Sequence, residues 1–336
     1  MPSPLVSLES LAFSVVLPVH NEAGNLEELY ARLSEVMEGL GEPFEIIFVD
    51  DGSFDESLRV AKRIRSRDDR IKIVALSRNF GHQAAITAGL DLARGRATIV
   101  MDSDLQHPPD VVPQLVARWR EGYEVVNAIR IDRRGETFFK RFTARAFYWL
   151  LCRLSDTDMS PNVGDFRLID RKALDAFKSM RESTRYLRGM FSWVGFRQTA
   201  IPYEYRDRHA GEPKYNFRRM MTLAVNGLVS FSNAPLELAL HVGFVVALLS
   251  FMAGVGDIIA KMASTDTVPG WLSLVITVSF LGGMQLVILG VMGIYMSRIY
   301  EEVKSRPLYI VSEVEGIGSS GAPLEKARVA SADATR

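Results

Sequence analysis

Short apolar runs alternate with helical periodicity over the first hundred residues. Phe13-Ser-Val-Val-Leu-Pro-Val19 reads as a strand. Asn25 then caps a helix to about Leu40, with Glu28 placed as in a capping box. Glu45 to Val49 is a second buried strand, followed by a helix from about Glu56 to Arg67. Ile71 to Leu76, His82 to Ala93 and Ala97 to Met101 continue the series as strand, helix and strand. This rhythm predicts an α/β domain with a mostly parallel sheet and helices on both faces. Ligands of such sheets bind outside the carboxyl ends of the strands. The polar clusters His20-Asn-Glu22, Asp50-Asp-Gly-Ser53 and Asp102-Ser-Asp104 fall there.

Farther along, the pattern loses its polar face. Val268 to Ser297 holds no charged residue over 30 positions, more than the ~20 a helix needs to cross a bilayer. Ala239 to Ala260 is also apolar, broken by His241 and Asp257 near its ends. These segments predict two transmembrane helices joined by the turn Lys261 to Thr267. Arg218 and Arg219 precede the pair; Arg298, Lys304 and Arg306 follow it. The positive-inside rule therefore places both termini in the cytoplasm. Expected boundaries are a catalytic domain over 1–215, an interfacial helix and linker over 216–235, the two spans over 236–297, and a tail over 298–336, disordered from about 316.

Composition narrows the picture. Forty Lys and Arg balance forty Asp and Glu, so the basic excess of a nucleic-acid binder is missing and no nucleic-acid partner is expected. The lone Cys152 rules out an internal disulfide framework and a cysteine-based zinc site. No Lys or Arg precedes Arg32, which argues against a cleavable signal peptide.

Asp102-Ser103-Asp104 ends a buried strand, where alternate residues turn toward one ligand as the chain loosens. Two hard carboxylates suit Mg²⁺ or Mn²⁺, and Gln106 and His107 stand next in line. An ordinary loop of solvated acids would look the same in isolation. Asp50-Asp51-Gly52-Ser53-x-Asp55 ends a second strand and fits an Asx-turn as well as a ligand. The two together point to a metal-nucleotide site. A Rossmann dehydrogenase would need G-x-G-x-x-G after the first strand; here the turn is Pro18-Val-His-Asn-Glu-Ala-Gly24, and the Walker A pattern is also missing.

Pro18-Val-His-Asn-Glu22, Val49-Asp-Asp-Gly-Ser-Phe-Asp55, Leu76-Ser-Arg-Asn-Phe-Gly81, Met101-Asp-Ser-Asp-Leu-Gln106 and Gly164-Asp-Phe-Arg167 resemble glycosyltransferase family 2. More narrowly, the chain is similar, over residues 11 to 305, to the membrane-bound polyprenyl-phosphate glycosyltransferases. The resemblance implies a GT-A fold and inverting transfer of one sugar from a nucleotide donor to polyprenyl phosphate at the inner or plasma membrane. UDP-glucose is the donor favoured, with GDP-mannose the alternative. Pro18, Val19, Glu22 and Asp51 would contact the nucleotide, with Asp50 and Arg78 beside them. Asp102, Asp104 and Gln106 would hold Mg²⁺ or Mn²⁺. Asp165 sits where the family's base is usually discussed. Arg206, Arg208 and Lys214 would close over phosphates, although Pro213 stands where the family often has Ser. Arg167, with Arg141 or Arg145, would grip the acceptor phosphate.

Residues 133 to 153 interleave six basic side chains with aromatic ones and predict a helix lying in a headgroup layer; Asn216 to Ser232 is a second candidate. A processive polysaccharide synthase would carry Q-x-x-R-W and more spans. Gln114-Leu-Val-Ala-Arg-Trp119 has one residue too many between Gln and Arg. A non-catalytic scaffold would have no need of the intact acidic motifs. The sequence leaves the oligomeric state open, a homo-oligomer included.

Overall fold

The computed structural model describes residues 11–131, 163–183, 185–204, 234–263 and 270–317. The chain divides into two compact units, one containing the described residues up to 204 together with 307–317, the other containing 234–263 and 270–306.

The first unit is built on an eight-stranded sheet. Its centre is β1 (Phe13–Val19), flanked by β2 (Phe44–Asp50), β3 (Ile71–Leu76) and β4 (Ala97–Val100), all parallel. These strands are almost continuously apolar because both faces are covered. Helices α1 (Leu26–Gly39), α2 (Ser57–Arg65) and α3 (His82–Leu92) supply the crossovers, and α4 (Val112–Arg120) follows β4. Each buries one stripe: in α1 it is Leu26, Leu29, Leu33 and Met37, at helical spacing. Beyond β4 the sheet continues with β6 (Val163–Asp170), β5 (Val125–Ile131) and β7 (Gln198–Glu204), where β6 runs antiparallel to both neighbours and β5 and β7 are parallel. Helices α5 (Arg171–Ser179) and α6 (Leu187–Trp193) separate β6 from β7.

The eighth strand was not expected. β8 (Val311–Glu315) pairs antiparallel with β3 and closes that edge of the sheet. Lys62 bonds Glu313 at 2.6 Å, and the Tyr309 hydroxyl donates to Asp91 at 2.7 Å. A stretch that sequence reading assigned to the tail is thus part of the sheet.

One local expectation is corrected. Asn25 precedes α1 but its side chain makes no capping bond; it donates to Glu22 instead, while Glu28 pairs with Arg32. The capping box is absent because Asn25 is already in a helical conformation, at φ −101° and ψ −24°, which takes its side chain away from the first turn's N–H groups. Gln114 to Trp119, which departs from the synthase motif in spacing, lies in α4. Trp119 donates its indole N–H to Asp170 at 2.7 Å and meets Phe13 edge to face, and Arg118 pairs with Glu121.

The second unit contains α7 (Ala234–Ala263) and α8 (Trp271–Val303), which pack on each other. Phe280–Val303, within α8, is long and apolar enough to cross a membrane by length and composition; in α7 the apolar stretch Ala239–Met252 is shorter. Among the described residues, one of the two expected spans meets that measure. Large apolar side chains such as Leu240, Phe251, Leu286 and Val303 stand exposed on both helices. The two basic-aromatic candidates, over 133–153 and 216–232, lie outside the described residues.

Candidate functional site

The carboxyl ends of β1, β2, β3 and β4 open onto one cleft of about 390 Å³. Pro18, Val19 and Glu22 line it from the end of β1, Asp51 from β2, and Asp102, Ser103 and Asp104 from β4. The predicted clusters are thus brought together. Asn79, Gly81 and His82, after β3, complete the wall.

Backbone geometry shapes this mouth. Gly52 has φ +63°, and a Cβ there would lie 2.5 Å from the Arg78 carbonyl carbon; no other residue fits. Asn21 and Leu105 hold left-handed conformations at φ 59° and 61° in the loops after β1 and β4. Non-glycine residues are costly there, and such strain gathers at working sites.

Asp51 is buried and uses both carboxylate oxygens on the next loop. The Phe80 and Gly81 N–H groups donate to it at 2.7 and 3.0 Å. Asp50 lies behind the cleft, accepting from the Ser53 N–H at 3.3 Å. Burial raises its pKa against the opposing Ser53 and His20 contributions. Arg78 stacks over Phe80 at 4.1 Å and is not among the lining residues.

The β4 end carries the acidic pair. The Ser103 hydroxyl donates to the Pro18 carbonyl at 2.8 Å, and the Gln106 N–H to Asp104 at 3.1 Å. The Asp102 N–H donates to His107 Nδ1 at 2.9 Å. That bond assigns the His107 proton to Nε2, which faces Asp102 Oδ2 at 3.6 Å. Asp102 Oδ1 is sealed from water without a well-formed hydrogen bond, although His82 Nε2 approaches to 3.3 Å. A buried hard oxygen in that condition, next to Asp104, fits a divalent cation. Among the described residues no group of three His, Cys, Asp or Glu side chains is gathered for a metal. Two carboxylates with the remaining positions left to phosphate and water is the usual way Mg²⁺ is held.

Asp165 stands beside this pair. Arg188 donates to both its oxygens, at 3.2 and 3.1 Å. His82 Nε2 lies 3.6 Å from one oxygen and Arg167 4.0 Å from the other. Burial alone would push the Asp165 carboxyl up, but His82, Arg188 and Arg167 outweigh it and hold the group well below the usual carboxylate range. Burial likewise lowers the His82 imidazole, and the Asp165 and Asp102 carboxylates more than reverse it, leaving its pKa raised. Arg167 has only 2% of its side chain exposed. It donates to the Gly164 carbonyl at 2.7 Å and lies over Phe191 at 4.7 Å, and burial lowers its pKa to about 10. An acceptor cannot touch Arg167 directly in this arrangement; Arg188, 41% exposed, is the cation at the surface of the cluster.

His82 and Arg188 were both missed in the sequence. The strand-end rule applied to β3 would have flagged His82, since Asn79 to His82 follows that strand as the acids follow theirs. Arg141, Arg145, Arg206, Arg208 and Lys214 lie outside the described residues.

Hard carboxylates at the mouth of a cleft on a mostly parallel sheet are what the resemblance to the glycosyltransferases leads one to expect. The glycosyl transferase family 2 profile matches residues 14–177. "Uncharacterized glycosyltransferase YkcC" of Bacillus subtilis (strain 168) is 45% identical over 307 residues, covering 91% of this chain and 95% of that one. "SfII prophage-derived bactoprenol glucosyl transferase" of Shigella flexneri is 38% identical over 303 residues, 90% and 98% of the two chains. Among solved structures, glucosyl-3-phosphoglycerate synthase from Mycobacterium tuberculosis, in complex with Mn²⁺, UDP and glucosyl-3-phosphoglycerate, matches with a TM-score of 0.48 at 20% identity, covering 66% of this chain and 79% of that one. The chain belongs to glycosyltransferase family 2, and its α/β domain is GT-A-like.

Proposed function

We propose that this glycosyltransferase moves one glucose from UDP-glucose to a polyprenyl phosphate at the inner or plasma membrane, with inversion at the anomeric carbon. One observation carries the reading: similarity to a bactoprenol glucosyl transferase runs over 98% of that protein's length, which requires the apolar C-terminal helices as well as the sugar-transferring domain. The exposed apolar side chains of α7 and α8 support a pair of membrane-spanning helices, with both termini cytoplasmic.

Pro18, Val19 and Glu22 take the nucleotide, and the Asp51 clamp on Phe80 and Gly81 keeps the wall of its cleft in place. Asp102 and Asp104, with Gln106 next to them, would hold Mg²⁺ or Mn²⁺, which supplies Lewis-acid stabilisation of the departing diphosphate. An acceptor phosphate oxygen forms the new bond to the anomeric carbon as the bond to the nucleoside diphosphate breaks. The second pKa of a phosphate monoester is about 6, so at neutral pH the attacking oxygen already carries its charge. Asp165, held ionised by Arg188, Arg167 and its contact with His82, orients Arg188 and His82 rather than collecting a proton. Arg141, Arg145, Arg206, Arg208 and Lys214 provide further phosphate contacts in this reading.

The test is a panel of nucleotide sugars incubated with membranes carrying the protein and undecaprenyl phosphate, scoring label in the lipid extract. Label from UDP-glucose is expected. Label from GDP-mannose alone would replace the sugar assignment, and label in no lipid would refute the acceptor.

A further inference from the structure

Asp102, two residues past the end of β4, and Asp165, in β6, share one neighbour beside a strand ladder. Strand β4 pairs antiparallel with β6, Val100 opposite Arg167. The same register carried two residues on sets Asp102 across from Asp165. Like charges opposite one another destabilise a strand pair. One nitrogen stands between them here: His82 Nε2, 3.3 Å from Asp102 Oδ1 and 3.6 Å from Asp165 Oδ2. Both contacts are attractive when Nε2 carries its hydrogen, and a neutral imidazole meets that condition.

The placement is set by the chain around it. His82 is the first residue of α3, and Gly81 before it has φ +97°, a conformation that turns the chain sharply into the helix. The N–H groups of Phe80 and Gly81 are anchored on Asp51. A four-residue segment after β3 therefore touches acidic side chains from three other strands: Asp51 after β2, Asp102 after β4 and Asp165 in β6.

We propose that His82 is a positioning residue that ties the metal-site carboxylate Asp102 to Asp165, so that the donor and acceptor halves of the site keep one spacing. The role requires the Nε2–H donor and no proton transfer. It rests on the proposed function only for the word acceptor; the link to the metal site is independent of the lipid.

The experiment uses full-length protein in detergent and two variants of similar length, His82→Gln, which keeps an N–H donor, and His82→Met, which does not. Mn²⁺ binding is titrated by calorimetry with UDP present, and kcat and KM are measured for donor and lipid. Losing a group that orients a metal ligand typically costs 10–100-fold in metal affinity or activity. His82→Met should therefore weaken Mn²⁺ by about 10-fold or more and lower kcat with little change in the lipid KM, and His82→Gln should recover most of both. Wild-type Mn²⁺ affinity in the Met variant overturns the proposal. So does a Gln variant that melts like wild type and is as impaired as Met. Should the Met variant fail to fold, the Gln variant decides alone: a 10-fold loss of Mn²⁺ affinity there overturns it, and near-wild-type affinity supports it. A wild-type protein that binds Mn²⁺ and UDP yet labels no lipid refutes the acceptor reading and leaves the Mn²⁺ comparison valid.

Discussion

Replacing Asp165 by Asn is the obvious probe for a base, and the structure says that it will report on something else first. Asp165 is the countercharge of Arg167, which is 2% exposed and 4.0 Å away. At an effective dielectric near 20, a pair at that distance interacts by about 4 kcal/mol. Removing one partner of a buried pair leaves the other charge uncompensated, typically at a cost of about 3–5 kcal/mol. Native domains hold only about 5–15 kcal/mol in total. At about 2–4 °C per kcal/mol for a domain of this size, the melting midpoint of Asp165→Asn should fall by roughly 6–20 °C. The double variant Asp165→Asn with Arg167→Met removes both charges and should recover most of that loss, as apolar replacements of buried pairs do. The assay is thermal unfolding of the purified protein, run beside sugar transfer at a temperature where every variant is folded. Measurable transfer by Asp165→Asn is expected there, above that of Asp104→Asn. An Asp165→Asn protein that melts like wild type and is inert at every pH would refute the reasoning, because its carboxylate would then be needed for the chemistry and not for charge balance.

Other outcomes are expected. Asp104→Asn removes one of the two carboxylates that would hold a divalent cation and should abolish transfer while circular dichroism and melting stay near wild type. Gly52→Ala forces a Cβ to 2.5 Å from the Arg78 carbonyl carbon, so UDP affinity and stability should fall together, as calorimetry and melting would report. Transfer should rise from pH 6 to 7.5 as the acceptor phosphate loses its second proton near pH 6. Asp165 adds no limb of its own to that profile, since its depressed pKa gives a contribution to stability that is present above the unfolded value of about 3.9 and lost only as pH falls through the folded one. Tyr309→Phe removes a part-buried hydrogen bond to Asp91 and should cost about 1 kcal/mol in denaturant unfolding, whereas deleting residues 307–336 uncovers the β3 edge and should give aggregation.

The central half of the sheet was legible because buried parallel strands are unbroken apolar runs with turn residues at both ends, as Phe13–Val19 and Ile71–Leu76 are. β6 was harder to read because it buries Asp165 and Arg167, and charged residues are by default at the surface. The same default made Arg167 look like an exposed grip for phosphate. Five-residue β8 owes its pairing to β3, more than two hundred residues earlier, and no local pattern announces that. The acidic clusters were readable as strand-end motifs. His82 follows the end of β3 and would have been found by the same rule, whereas Arg188 was not legible, because it is a single residue whose meaning comes from Asp165 in another strand.

β8 also dictates an order of events during synthesis. The strand next to β3 leaves the ribosome only after α7 and α8 have been made, since about a hundred residues separate Glu204, the end of β7, from Val311. At about 5–20 residues per second, translation crosses that interval in roughly 5–20 s. Throughout it the nascent domain has seven of its described strands and a bare β3 edge, while the apolar helices emerge. The sheet is therefore finished only after the hydrophobic helices have been produced, so the enzyme's fold is completed by a strand made after them.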